Sequence, residues 1–204
     1  MNTQAMFIVF EGIDGSGKST QIGLLRQWLP TSGLMPEGAR LVVTQEPGGT
    51  PLGRVLCGHL ISPEMKGTIE EWLLYEADRA YHVRTVIDPA IEAGDWVLCD
   101  RYQGSTLAYQ GQTRSIHRIR DLQRLTASKH TPNITFWLDV PINMAIKRIE
   151  KRDGKFRETQ ETLINAARSY QAQATLNDWK KIDSSKNTLE VFEQCKEVIV
   201  KKLS

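Results

Sequence analysis

Phe7-Ile8-Val9-Phe10-Glu11-Gly12-Ile13-Asp14-Gly15-Ser16-Gly17-Lys18-Ser19-Thr20 decides the fold, because an apolar run breaks into a glycine-rich turn that ends on Lys-Ser. The stretch reads as strand, phosphate loop and helix. Gly12, Gly17, Lys18 and Ser19 satisfy G-x-x-x-x-G-K-[ST], a spacing in which each residue type has a task. Glycines reach positive φ and carry no Cβ, so successive backbone N–H groups can turn inward around phosphate oxygens. A helix starting near Gly17 adds its positive end, the Lys18 ammonium faces the β/γ oxygens, and the Ser19 hydroxyl is offered to Mg²⁺. Gly12, Ile13, Asp14, Gly15, Ser16, Gly17, Lys18, Ser19 and Thr20 are therefore the expected binding loop for a nucleoside triphosphate, with magnesium as cofactor. The plain alternative is a glycine-rich surface turn.

The 204 residues suffice for one α/β domain spanning 1–204. With 26 Lys and Arg against 24 Asp and Glu the net charge is only +2, which argues against a nucleic-acid partner gripped by a broad basic face. Cys57, Cys99 and Cys195 are widely separated and outside any C-x-x-C spacing, so neither a disulfide framework nor a zinc site is expected. The first residues, Met1-Asn2-Thr3-Gln4-Ala5, carry no basic segment followed by a long apolar one, and no run approaches a membrane span. The expectation is a cytoplasmic protein with no membrane partner.

Apolar residues recur at helical spacing from Ile22 to Leu29 until Pro30 and Ser32-Gly33 end the pattern. Leu41-Val42-Val43 reads as a short buried strand that empties into Gln45-Glu46-Pro47-Gly48-Gly49-Thr50-Pro51, a loop of turn formers. Loops after strand C-termini line the ligand crevice of an open parallel sheet, so this one should face the phosphate loop. Residues 52–62 and 69–93 read as helices, the second carrying Trp72, Leu73, Tyr75, Ala77, Arg79, Val83 and Ile87, mostly as core. Trp96 to Cys99 is an apolar run ending on Asp100. A carboxylate at that place suits Mg²⁺, held directly or through water, or else a helix N-cap. Residues 116–128 suit a basic exposed helix, Ile134 to Val140 a buried strand, and Pro141 the first residue of the next helix. That helix runs into Lys147-Arg148-Ile149-Glu150-Lys151-Arg152-Asp153-Gly154-Lys155-Phe156-Arg157. Such a run is either a solvated face or a cationic lid, over about 147–158, that closes on a triphosphate. Residues 160–176 read as a helix, 179–183 as a last strand, and 187–203 as a helix with Leu189, Val191, Phe192, Cys195, Val198 and Ile199 in one stripe. Strands alternating with helices imply a phosphate-loop NTPase fold: a five-stranded parallel sheet flanked by helices on both faces, with a mobile lid.

The loop alone does not choose among the proteins built this way. No N-K-x-D for reading guanine occurs, and the length and charge disfavour a nucleic-acid motor. Glu46-Pro47-Gly48-Gly49-Thr50, Asp100-Arg101-Tyr102 with Ser105, and Ala108-Tyr109-Gln110-Gly111 together resemble the thymidylate kinases, and Tyr75 with Arg79 sits on the helix where that family places such a pair. The likeness runs from about Phe7 to the terminal helix. It implies transfer of the γ-phosphoryl of ATP to dTMP, and it implies a homodimer, for which the apolar side of 69–93 is a candidate contact.

By that resemblance Arg79 binds the thymine carbonyl, Tyr75 stacks on the ring, Ser105 sits at the Watson–Crick edge and Tyr109 lies under the deoxyribose, where it leaves no room for a 2′-hydroxyl. Asp14 reaches the sugar hydroxyl or positions Arg101, and Arg101 bridges acceptor and donor phosphates. Glu46, Pro47 and Gln110 complete the dTMP pocket, and Ser19 and Asp100 hold the metal. Some members carry an arginine in the phosphate loop; Gly15 stands there here, so the catalytic cations fall to Lys18, Arg101 and the lid arginines Arg148, Arg152 and Arg157, with Lys151 and Lys155 contributing less specifically. The chain departs from the family's bacterial pattern at Gln45, where arginine is usual, and at Asp153-Gly154-Lys155, where the lid reads Asp-Arg-x-Glu. A kinase of the same fold acting on another nucleoside or monophosphate, and a non-catalytic nucleotide-binding module, are the alternative readings.

Overall fold

The structure, a computed structural model, describes residues 4–60, 62–152 and 158–203. β1 (Phe7–Glu11) is buried along its whole length. Ile8 and Phe10 point to one face of the sheet and pack with Ile22, Leu25, Val191, Cys195 and Ile199, while Phe7 and Val9 point to the other and meet Val83, Ile87 and Ala90. Burial on both faces is why this strand reads as an unbroken apolar run rather than an alternating one.

β2 (Leu41–Gln45), β3 (Trp96–Asp100), β4 (Ile134–Asp139) and β5 (Lys180–Asp183) join β1 in the order β2-β3-β1-β4-β5, all parallel. The chain leaves β1 for one edge and returns to place β3 and then β4 on either side of it, so strand order reverses at β1. Ligands of such sheets lie beyond the strand C-termini at the reversal point. β2 extends two residues past the apolar triplet because its register with β3 carries Thr44 and Gln45 opposite Cys99 and Asp100.

The helices are α1 (Lys18–Trp28), α2 (Pro51–Leu60), α3 (Ile69–His82), α4 (Asp88–Glu92), α5 (Gln103–Tyr109), α6 (Ile116–Thr126), α7 (Ile142–Arg152), α8 (Gln160–Leu176) and α9 (Thr188–Leu203). The expected continuous helix over 69–93 is interrupted by a π-helical stretch, Val83–Ile87. Pro89 has no N–H for the carbonyl four residues earlier and its ring crowds it, and one wider turn relieves both. Trp72, Val83 and Ile87 are core as expected, but Leu73 is 48% exposed and Leu189, at the start of the α9 stripe, 67%. α5 has no apolar period to announce it. Gly104 inside it is required by contact, because a Cβ there would stand 2.5 Å from the Trp179 ring and 2.8 Å from Glu11 Oε1.

Candidate active site

The phosphate loop leaves β1 through Gly12, Gly15 and Gly17, at φ 144°, 77° and 95°. Lys18, the first residue of α1, folds its ammonium back over the loop, donating to Gly12 O at 2.9 Å and Ile13 O at 3.0 Å. Its pKa is lowered to about 8, by burial first and then by the neighbouring Arg101, against the pull of Asp100, Asp14 and Glu11. Beyond β5, Ser184 donates to Ser16 O at 2.5 Å, which ties the loop to the sheet. Gly15 lies so near α7 that a Cβ on it would stand 2.4 Å from Ala145 O.

At the end of β3, Asp100 Oδ2 accepts from the Ser19 hydroxyl at 2.8 Å, whereas Asp100 Oδ1 is buried without a hydrogen-bond partner among the described residues. Asp100 is not the N-cap of α5, which begins at Gln103. Two hard oxygens and a spare carboxylate lone pair fit Mg²⁺. Among the described residues no group of three or more acidic, His or Cys side chains is arranged to hold a metal ion.

Arg101 follows, at φ 69°, a left-handed conformation that costs a residue with a Cβ about 1–2 kcal/mol. Its Nη1 lies 3.1 Å from Gly12 O, 3.1 Å from Ser105 Oγ and 3.0 Å from the Tyr170 hydroxyl, and its Nη2 donates to Asp14 Oδ1 at 2.5 Å. The guanidinium carbon is 5.4 Å from the centre of the Tyr109 ring. Asp14 thus contacts Arg101.

A pocket opens beside Arg101, and its wall holds all nine residues expected for dTMP: Asp14, Glu46, Pro47, Tyr75, Arg79, Arg101, Ser105, Tyr109 and Gln110, joined by Asp78, Tyr102, Thr106 and Glu158. A cis peptide bond joins Glu46 to Pro47. Arg79 is held from four sides: Nε donates to Glu46 at 2.8 Å, Nη1 to Glu76 at 2.7 Å, and Nη2 to Tyr102 O at 3.3 Å and Thr106 Oγ1 at 2.9 Å. One Nη1 proton is left for a ligand. Burial opposes the charge on Arg79, but Glu46 and Glu76 outweigh it and hold the pKa above its ordinary value. Glu46 also meets His82 Nδ1 at 2.9 Å, so its carboxylate is committed to orienting Arg79. Asp78, on the same wall, has its pKa raised by burial and then by Glu46.

Ser105 lines the pocket wall and is also bonded to side chains behind it. Its hydroxyl donates to Glu11 Oε2 at 2.7 Å and touches Tyr170 at 2.8 Å, while Thr106 beside it contacts Arg79. Glu11 was legible only as the end of β1. It is 1% exposed and accepts from the amides of Tyr102 at 3.0 Å and Ser105 at 3.2 Å. Burial raises its pKa, while Ser105, Arg101, the Tyr102 amide and Lys18 favour the ionised form.

A second crevice holds Gly15, Gly17, Lys18, Ser19, Thr20, Asp100, Arg148, Arg152, Ser184 and Lys186, and shares Asp14, Glu46, Pro47 and Arg101 with the first pocket. The loop Gln45–Pro47 thus faces the phosphate loop, with Gln45 Nε2 turned onto Pro47 O at 3.2 Å. Gly12, Ile13 and Ser16 form the loop's underside. Arg148 donates to Gly15 O at 3.3 Å and Ser184 O at 2.9 Å, so it is no solvated cation. Arg157 and Lys155 lie outside the described residues. Glu158, just past them, pairs with Lys66 at 3.0 Å.

A family model described as thymidylate kinase matches residues 10–195. The chain is 44% identical over 202 residues, 96% of each chain, to a thymidylate kinase of Prochlorococcus marinus (strain NATL2A). It is 47% identical over 188 residues, 89% of this chain and 90% of the other, to one from Synechococcus sp. (strain CC9902). It superposes with a TM-score of 0.78 and 29% identity on the crystal structure of thymidylate kinase from Ehrlichia chaffeensis, covering 96% of this chain and 99% of that one.

Proposed function

We propose, from the premise that this chain belongs to the thymidylate kinase family, that it transfers the γ-phosphoryl group of ATP to dTMP, giving dTDP and ADP. The observation that carries the reading is the shared wall. Asp14 and Arg101 line both the base pocket and the phosphate crevice, so a guanidinium stands where two nucleotides would meet end to end.

In the pocket, the spare Nη1 proton of Arg79 meets a base carbonyl, Tyr75 offers its ring, and Tyr109 occupies the space a 2′-hydroxyl would need. Ser105, with Thr106 beside it on the pocket wall, faces the base edge. In the crevice the triphosphate displaces the carbonyl contacts of Lys18 and lies against the amides of the glycine loop. Ser19 and Asp100 would hold Mg²⁺, which would supply charge neutralisation at the phosphates. Phosphoryl transfer passes through a loose transition state, so positioning and charge neutralisation dominate over acid–base work. Arg101 spans acceptor and donor phosphates, Lys18 covers the β/γ oxygens, and Arg148, Arg152 and Arg157 belong to a lid over about 147–158. With Gly15 in the loop, these cations substitute for a loop arginine.

We read the chain as one nucleotide-kinase domain working in the cytoplasm as a homodimer. Leu52, Val55, Ile69 and Leu73 are exposed on α2 and α3, which supports a dimer contact there. Among the described residues no helix is long and apolar enough to cross a membrane. The test is ADP release from ATP and Mg²⁺ with a panel of nucleoside monophosphates. Saturable turnover preferring dTMP is expected; preference for another acceptor, or none, refutes the reading.

A further inference from the structure

Tyr170 has no part in the roles above, although it lies at the centre of them. Its ring is fully buried in the cluster that includes Ala108, Trp137, Leu163 and Ala166. Its hydroxyl leaves that cluster and stands 3.0 Å from Arg101 Nη1 and 2.8 Å from Ser105 Oγ. Counting protons fixes the direction of each bond. The single hydroxyl proton of Ser105 goes to Glu11 Oε2 over 2.7 Å. The contact between Ser105 and Tyr170 is then a donation by Tyr170. Having spent its proton, the Tyr170 oxygen presents lone pairs to Arg101, whose guanidinium has only donors. The chain runs one way, from Arg101 through Tyr170 and Ser105 to Glu11, and a chain ending on a carboxylate strengthens each link.

We propose that Tyr170 is a positioning residue for Arg101. Nη1 has two protons and three acceptors within 3.1 Å, and Nη2 gives one proton to Asp14. Held on that side, the guanidinium keeps Nε–H and the second Nη2 proton for phosphate oxygens. Without the Tyr170 oxygen the long side chain can swing toward Asp14, and misplacement of a catalytic group by about 1 Å is enough to cost up to about a hundredfold in rate.

The inference rests on the reading of Arg101 as the cation between the phosphates. Tyr170→Phe keeps the ring in its cluster and removes only the oxygen. A fall in kcat of about tenfold is expected, with KM for ATP and dTMP changed less than about twofold. In an Arg101→Ala background the same substitution should cause no further loss, because a residue acting through Arg101 has nothing left to position. Ser105→Ala removes both the acceptor of the Tyr170 proton and a direct contact of Arg101 Nη1, so it should lower kcat at least as much, which keeps the test open if Tyr170→Phe folds poorly. Wild-type turnover in Tyr170→Phe, or an equal loss with and without Arg101, overturns the inference. A wild-type protein without kinase activity overturns the functional reading instead.

Discussion

Gly15→Ala should damage both stability and nucleotide binding, and the size of the effect follows from two contacts. Gly15 is at φ 77°, where a residue with a Cβ pays about 1–2 kcal/mol. The new Cβ would stand 2.4 Å from Ala145 O and 3.0 Å from its C and Cα. All three are backbone atoms of α7, so no side chain can swing away, and overpacking of this kind costs about 1–3 kcal/mol. The sum is about 2–5 kcal/mol. If the loop stays in place, the cost appears as a melting temperature lower by roughly 4–20 °C, at about 2–4 °C per kcal/mol for a domain of this size. If the loop retreats, Gly15 O leaves Arg148, now at 3.3 Å, and ATP affinity falls instead. Calorimetry with ATP and Mg²⁺ beside a thermal melt reads both. Gly15→Arg should likewise lose activity rather than gain a loop arginine. A Gly15→Ala protein that melts within about 2 °C of wild type and binds ATP unchanged refutes the reasoning.

Lys18→Ala and Arg101→Ala should each lower kcat by at least about a hundredfold with the fold intact by circular dichroism, and near-normal turnover in either removes that residue from catalysis. Tyr109→Ala should narrow the preference for dTMP over its ribonucleotide counterpart by about tenfold in kcat/KM, and an unchanged ratio excludes Tyr109 from that discrimination. The Lys18 pKa of about 8 gives a pH dependence with a definite sign. As pH rises through 8 the free enzyme loses the ammonium that the triphosphate needs, so kcat/KM for ATP should fall about tenfold per pH unit above that point. In the complex the phosphates favour the ammonium, so kcat should hold to higher pH. A kcat/KM profile flat to pH 9.5 contradicts the assignment.

The phosphate loop and the parallel sheet were legible because each shows where a local pattern breaks, as in an apolar strand ending in glycines, whereas the nine residues that line the pocket were named through the resemblance to a family and not by a local pattern. α5 was not legible, because its glycine serves a contact with Trp179 and Glu11 from elsewhere in the chain. Glu11 carried the same signal as Asp100, a carboxylate closing an apolar strand, and could have been found by it. Tyr170 carried no signal. It lies 69 residues from Arg101, and in the sequence it is one more aromatic on an amphipathic helix. The bonds of Ser105 to Glu11 and Tyr170 are equally invisible in one dimension, since they depend on where those two residues arrive.

The central claim is that two cavities meeting at Arg101 pass a phosphoryl group from one nucleotide to another. Incubating the protein with ATP labelled on its γ-phosphate, Mg²⁺ and dTMP, then separating the nucleotides, tests it without inference. The account predicts label in dTDP, in step with ADP. Label released as inorganic phosphate, or left in ATP while dTMP stays unchanged, contradicts it.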